Sequence, residues 1–184
     1  MTDTLSTVST WTIDPSHSQV EFTVKHMMFS KVKGSFTSFN GTIDLDEQNI
    51  ENSTVRVEID PATINTRDEK RDAHLRSADF FNTDVNPMMT FVSTKVERDG
   101  DEDLKITGDL TMNGVTKSVV LEAELEGRGM SPFGMEVLGY SAETKISRKD
   151  FDINWNAALE TGGVLVSDEV TIKMEIQAVP TTQE

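Results

Sequence analysis

The feature that most constrains this chain is a two-residue alternation of apolar and polar side chains, sustained in segment after segment. In "SQVEFTVKH" the residues Val20, Phe22 and Val24 fall on one parity, and in "STVRVEI" Val55, Val57 and Ile59 do so. "DLKITGDLTM" repeats the pattern with Leu104, Ile106, Leu110 and Met112, and Gly108 keeps the register. "VTKSVVLEAEL" aligns Val115, Val119, Leu121, Ala123 and Leu125; "VTIKMEIQA" aligns Val170, Ile172, Met174, Ile176 and Ala178. Successive side chains of a strand point to opposite faces, so each segment buries one face and wets the other. A sheet with one dry face is antiparallel rather than doubly wound.

The punctuation between these segments agrees. Asn113-Gly114 suits a type I′ hairpin, and "ERDGDED" at 97–103 is a second turn signal. "GRGMSPFG" at 127–134 reads as a longer hairpin loop and "ETGGVL" at 160–165 as a flexible break. Long antiparallel strands joined by hairpins predict a closed or nearly closed barrel. Phe36 shares parity with Val32 and Gly34, whereas Phe39, Gly41, Ile43 and Leu45 continue on odd positions. Keeping both sets inside requires an extra residue near Thr37-Ser38, a β-bulge.

One segment reads as helix. "NTRDEKRDAHLRSADFF" opens with Thr66-x-x-Glu69, a capping box, and helix formers run to about Ser77. Arg67, Lys70, Arg71 and His74 share a face, with Asp68, Asp72, Leu75 and Asp79 towards the other. This is either a solvated crossing helix or a small cationic face held near a barrel mouth.

Composition excludes several functions. The 184 residues suit one domain. A net charge of -15 repels a nucleic-acid backbone and disfavours anionic membrane surfaces. Without cysteine there are no disulfides, thiolate metal sites or cysteine nucleophiles. No run approaches the ~20 apolar residues that span a bilayer, so no stable membrane insertion is expected. "MTDTLSTVST" lacks the marks of a signal peptide, which leads to the expectation of a cytoplasmic protein, or a periplasmic one if a signal was removed.

Catalytic patterns are weak. His17 and His26 are nine residues apart, which on one strand is roughly 30 Å and opposite faces. With no His-Glu-x-x-His, neither a metal site nor a cofactor is expected. There is no Gly-x-Ser-x-Gly elbow, and "GGVLVSDE" lacks the helix and Lys of a phosphate loop. His17, after Asp14-Pro15, reads as a strand-entry residue bonded to backbone. His26 shares the parity of Phe22 and Val24 and should point inward. There it is either a paired core histidine or a polar contact for a ligand. Apolar bulk is plentiful: Phe22, Met27, Met28, Phe29, Phe36 and Phe39 crowd one region, and Phe80, Phe81, Met88, Met89 and Phe91 another. Such residues fill an ordinary small barrel or line a pocket for a flexible apolar ligand.

"WTIDPSHSQVEFTVKHMMFSKVKGSF", from Trp11 to Phe36, resembles the opening signature of the YceI-like family of bacterial proteins. "FNGTIDLD", "INTRDEKRDAHLRSADFFNTDVNPMMTFVS", "ITGDLTMNGVTKSVVLEAE", "ISRKDFDINWN" and "VSDEVTIKMEI" follow in the family's order, so the resemblance covers about residues 11–179. It implies an all-β fold, a single antiparallel eight-stranded lipocalin-like β-barrel with a short helix. Tails are expected at 1–10 and 180–184. It also implies that a polyisoprenoid or isoprenoid-quinone tail lies inside the barrel. One departure stands out: Arg148, Asp150 and Phe151 match the family motif, but Asp152 occupies a position where Gly is usual.

The expected function is therefore non-enzymatic binding, transport or storage of such a lipid. Phe22, Val24, Phe36, Phe39, Phe91, Leu110, Met112 and Trp155 are the candidate apolar lining. His26, His74 and Arg148 are the polar candidates near one end of the tail. The alternatives are a hydrolase or isomerase of small apolar substrates with His26 as general base, and a stress-related scaffold whose barrel is filled. The partner expected is a polyisoprenoid or quinone-type lipid rather than nucleic acid, with a homodimer left open.

Overall fold

A computed structural model of the chain describes residues 8–182. The strands are β1 (Val8–Ile13), β2 (Gln19–His26), β3 (Ser30–Phe36), β4 (Phe39–Asp46), β5 (Thr54–Ile59), β6 (Ile64–Asn65), β7 (Met89–Arg98), β8 (Asp103–Met112), β9 (Val115–Met130), β10 (Glu136–Ser147) and β11 (Val166–Pro180). One helix, α1 (Glu69–Arg76), lies between β6 and β7. Eight strands close a ring in the order β1-β4-β5-β7-β8-β9-β10-β11, with β11 returning to β1. Every pairing is antiparallel, as the alternation requires.

β11 closes the ring with two partners. Its C-terminal end pairs with β1 (Ile13↔Ala178) and its N-terminal part with β2 (Val20↔Met174 to His26↔Val166). Between them the chain kinks at a 3₁₀ turn, Pro15–His17. The Asp14 carboxylate accepts the Ser16 N–H at 2.9 Å and pairs with His17 Nδ1 at 2.8 Å. Opposite the kink, the Asp14 N–H donates to the Gln177 carbonyl, and the Gln177 N–H donates to Ser18 Oγ. No ladder bond is left open, which is the local reason for the sequence Asp-Pro-Ser-His-Ser. The His17 N–H donates to the Asp14 carbonyl at 3.2 Å, the backbone bond expected of a turn residue, while its ring pairs with the Asp14 carboxylate.

In place of the β-bulge expected near Thr37-Ser38 the chain breaks between β3 and β4, and both Phe36 and Phe39 are buried, as the change of parity required. A third kink, Pro61–Thr63, separates β5 from β6, and Asp60 caps it as Asp14 caps the first. "IDPSH" at 13–17 and "IDPAT" at 59–63 are therefore one device used twice. Beyond the three kinks, β2, β3 and β6 continue as a flap off β11.

Four expectations need correction. Among the described residues strand is already present from Val8 and continues to Pro180, so 8–10 and 180 are strand and not tail, while residues 1–7 and 183–184 lie outside the described residues. The first half of the loop expected at 127–134 is strand, and the turn occupies 131–135. The capping box does not form. Asp68 caps α1 by accepting the Arg71 N–H at 3.0 Å, because Thr66 is engaged elsewhere. Arg67 stands outside the helix at φ +67°, so the cationic face is Lys70, Arg71 and His74 only.

The interior is layered. Trp11, Ile43, Leu45, Leu138 and Ala178 seal the end near the β9–β10 turn. Phe91, Val96, Leu104, Ile106, Leu121 and Ala123 form the middle. A larger cluster around Phe36, Phe39, Ile64, Phe80, Met112 and Phe151 fills the end under α1. The Asn113-Gly114 turn has both φ angles positive, +52° and +74°, as a type I′ turn needs.

Asp152 also adopts the left-handed conformation, φ +56°, closing the 3₁₀ turn Arg148–Phe151. That geometry suits the glycine that the resemblance leads one to expect there: only Gly takes it without cost, and Asp is among the residues that tolerate it. Asp152→Gly should leave stability unchanged or raise it. Asp152→Val should lower it by about 1–2 kcal/mol, measured by urea unfolding.

Candidate ligand-binding site

Two of the cavities among the described residues, one within the ring and one under α1, bear on ligand binding. The inner one, about 130 Å³, sits in the middle of the ring. Val57, Phe91, Leu110, Ala142, Ile172 and Met174 are among its walls, and the surface facing the void is apolar. Gly108 shapes it: a Cβ there would fall 2.4 Å from the Phe91 ring, so the glycine lets that ring lie flat against the wall. Tyr140 stands at its floor, and burial pushes the phenol pKa up, keeping it a neutral donor. A cavity of this kind stays dry and takes apolar guests.

The outer cavity, about 330 Å³, opens under α1 and the flap. Phe22, Val24, Val32, Leu75, Phe80, Trp155 and Leu165 give it a greasy wall. Lys25, His26, Lys70, Arg71 and His74 bring nitrogen to its rim, with Asp68 the one carboxylate among its lining residues. Gly34 plays the part here that Gly108 plays inside, since a Cβ would overlap Phe22 at 2.3 Å. His74 is held on three sides. Its Nε2 pairs with Asp79 at 2.8 Å, and its ring stands edge-on to Phe80 and Trp155 at 5.1 and 4.7 Å. The His26 side chain is half-buried and makes no hydrogen bond among the described residues, which favours the ligand-facing reading over the paired core one.

The helix is bolted in place from beneath. The Thr66 N–H and hydroxyl both donate to Asp72 Oδ1, at 2.9 and 2.6 Å. Arg71 donates from Nε to Thr66 Oγ1 and from Nη2 to the Thr66 carbonyl, both at 2.7 Å. Thr66 and Asp72 are buried, so this knot replaces the capping box and fixes α1 over the mouth.

The structure distributes the sequence-derived candidates among three places. Phe22, Val24, His26, His74 and Trp155 line the outer cavity; Phe91 and Leu110 line the inner one. Phe36, Phe39 and Met112 line neither and belong to the core between them. That core touches Phe22 on the outer side and Val57, Leu110 and Met174 on the inner side. Phe36 sits between Phe22 and Phe81, with ring centroids 5.7 and 5.9 Å away, in a core of aromatic and aliphatic side chains that contacts the walls of both cavities.

Arg148 does not face a cavity. Its guanidinium is buried and donates to the carbonyls of Ser167, Ile153 and Trp155 at 2.8–2.9 Å and of Val166 at 3.4 Å, with Asp168 3.9 Å away. Burial lowers its pKa and the Asp168 carboxylate opposes that shift. Asn156 adds a reciprocal pair with Val166, at 2.7 and 3.0 Å. The "ISRKDFDINWN" segment is thus a clamp that presents Trp155 to the mouth. The lining residues not nominated from sequence, such as Val57, Ile172 and Met174, carried the same parity as those that were. Parity separates inside from outside but does not separate wall from plug.

The YceI-like domain family matches residues 11–178. The protein YceI of Shigella flexneri is 50% identical over 137 residues, covering 74% of this chain and 71% of that one. This chain belongs to the YceI-like family. Among solved structures, the Campylobacter jejuni YceI protein superposes with a TM-score of 0.74 at 35% identity, covering 86% of this chain and 90% of that one. A polyisoprenoid binding domain from Saccharophagus degradans shares the fold at a TM-score of 0.67 and 13% identity, over 93% of this chain and 98% of that one.

In this member of the YceI-like family, Arg148→Lys should cost about 2–4 kcal/mol. One ammonium cannot replace a planar fork that serves four carbonyls, and buried acceptors would be left unpaired. Amide hydrogen exchange should rise across 153–166 in the variant while β7–β9 stay protected.

Proposed function

We propose that the protein binds the chain of a polyisoprenoid lipid, an isoprenoid quinone among them, without chemically altering it. The apolar tail occupies the barrel and the polar head rests at the rim between His26, His74 and Lys70. The observation that carries this reading is the dry inner cavity, whose walls touch the same core as those of an outer cavity that is greasy below and nitrogen-rich above. The polyisoprenoid binding recorded in the name of the Saccharophagus domain supports the ligand class. Among the described residues no hydroxyl is hydrogen-bonded to the His26 or His74 ring, which supports binding over nucleophilic catalysis. The open interior also favours a carrier over a scaffold with a filled barrel.

On this reading Phe36 and its ring partners are a gate. A tail passing from the rim to the inner cavity must turn them aside.

The test is native mass spectrometry of the purified protein, then thermal unfolding with added farnesol or decylubiquinone. Ligand at a hundred times its Kd should add about 2.7 kcal/mol, a shift of several degrees. Ala142→Phe fills the inner cavity and should abolish that shift while the apo-protein remains folded. Phe36→Leu should speed ligand uptake, followed by quenching of Trp155 fluorescence, at a stability cost of about 1–2 kcal/mol. Failure of both lipids to co-purify, bind or raise the midpoint would overturn the proposal, and release of a chemically altered lipid would overturn its non-catalytic part.

A further inference from the structure

The turn that joins β2 to β3 breaks three ordinary rules at once. Its residues are Met27, Met28 and Phe29, and Met28 and Phe29 are 59% and 81% exposed. Met27 and Met28 both have positive φ, +52° and +70°, where Asn or Gly would sit at far less cost. Just behind the turn, Lys25 and Lys31 face each other directly across the ladder, a like-charge pairing that weakens a hairpin. Strain and exposed apolar surface kept at the tip of a loop mark a site held for an external partner.

The surroundings say which partner. Lys25, Lys31 and Lys33 share the outer face of the hairpin, and Lys70 lies across the mouth. None of the four makes an ion pair among the described residues. Most of the nearby acids are already engaged: Asp68 caps α1, Asp79 pairs with His74, Asp168 pairs with Arg148 and Lys149, and Glu169 with Lys145, which leaves Glu21 diagonal to Lys33, Glu69 beside Lys70 and Glu160 in the adjoining loop. That loop extends the apolar tip. Met28 rests on Gly163, where a Cβ would fall 3.2 Å from its Cγ, and the neighbouring Val164 is exposed. The acidic residues gather elsewhere, with Asp99, Asp101, Glu102 and Asp103 at the opposite end of the strands.

We propose that this hairpin docks the barrel mouth on an anionic lipid bilayer. Met27, Met28, Phe29 and Val164 enter the headgroup–acyl boundary, and Lys25, Lys31, Lys33 and Lys70 meet the phosphates. Peripheral binding of this sort combines modest apolar burial with local basic charge. Distant acids matter little, since screening confines the attraction to about 8–10 Å. The inference concerns a surface and does not depend on which ligand the barrel takes. The molecule carries an internal control. The β9–β10 turn also exposes apolar residues, with Phe133 94% exposed, but it is turned by Gly134 at φ +78° and flanked by Glu126 and Glu136.

Vesicle flotation tests the proposal, using phosphatidylcholine alone and phosphatidylcholine with about 30% phosphatidylglycerol. The full chain should float with the anionic vesicles and be released by high salt. Met28→Asn with Phe29→Ser should reduce the bound fraction about tenfold, with a thermal midpoint equal to or above the parent's because Asn accepts the positive φ. Lys25→Gln with Lys31→Gln should remove the preference for phosphatidylglycerol, and Phe133→Ser should change nothing. The proposal fails if the parent floats with neither vesicle, or if the tip variant binds as well as the parent. It also fails if Phe133→Ser is the change that abolishes binding. Sedimentation without vesicles gives a further outcome against it: a dimer that the tip variant converts to monomer would assign the turn to a second copy of this chain.

Discussion

Everything in this molecule depends on one strand pairing on two sides. β11 is fifteen residues long and pairs with β10 from Glu169 to Ala178. Its other edge is shared between β1 and β2, which are the two halves of one kinked strand. Closure follows from that sharing, and with it the removal of a sheet edge that would otherwise seek another chain. The closed ladder also lets the interior be imperfectly filled, because main-chain hydrogen bonds, rather than dense packing alone, hold the walls apart.

The kinks turn a barrel into a vessel. At 14–18, 37–38 and 60–63, three neighbouring strands break where Asp, Ser and Thr side chains satisfy the freed backbone. Below the breaks the strands complete the ring. Above them they lean away as a flap, and α1 crosses the opening, tied by the buried Thr66–Asp72–Arg71 knot. The outer cavity is the space between flap, helix and the Arg148 clamp. Its polar and apolar residues come from segments far apart in sequence, brought together because each is anchored to the rim of the same ring.

How much of this was legible depends on the range of the physics involved. The strand faces, the type I′ turn and the change of parity near Thr37-Ser38 were readable because period and parity are local properties of the chain. Five of the eight apolar candidates and two of the three polar ones reach a cavity, since parity also tells inside from outside. Phe36, Phe39 and Met112 have the same parity and are plug, a distinction set by depth along the barrel axis, which alternation does not encode. Arg148 has the charge expected of a headgroup contact, and its actual partners are carbonyls up to 19 residues away. Thr66 illustrates the same limit. The capping-box pattern is a local signal, and a buried acid six residues beyond Thr66, Asp72, takes its hydroxyl away from the helix end.

The inner cavity is itself a statement by the sequence. Where the ring is hollow, Ala123 of β9 and Ala142 of β10 stand directly opposite each other in the ladder. Leu or Ile at either alanine would fill space and gain stability, as filling a cavity commonly does. Around them the walls keep full-sized Val, Ile, Leu and Phe, so small residues are not a general feature of this interior. A chain selected for stability alone has no reason to concentrate its smallest side chains at one level of an otherwise well-filled barrel. The void is kept at the cost of packing, with Ile13, Val20, Ile59 and Leu110 among its walls and the core around Phe36 and Phe39 packed against them. On the proposed reading a tail reaches the hollow by turning side chains aside, not by unfolding a backbone.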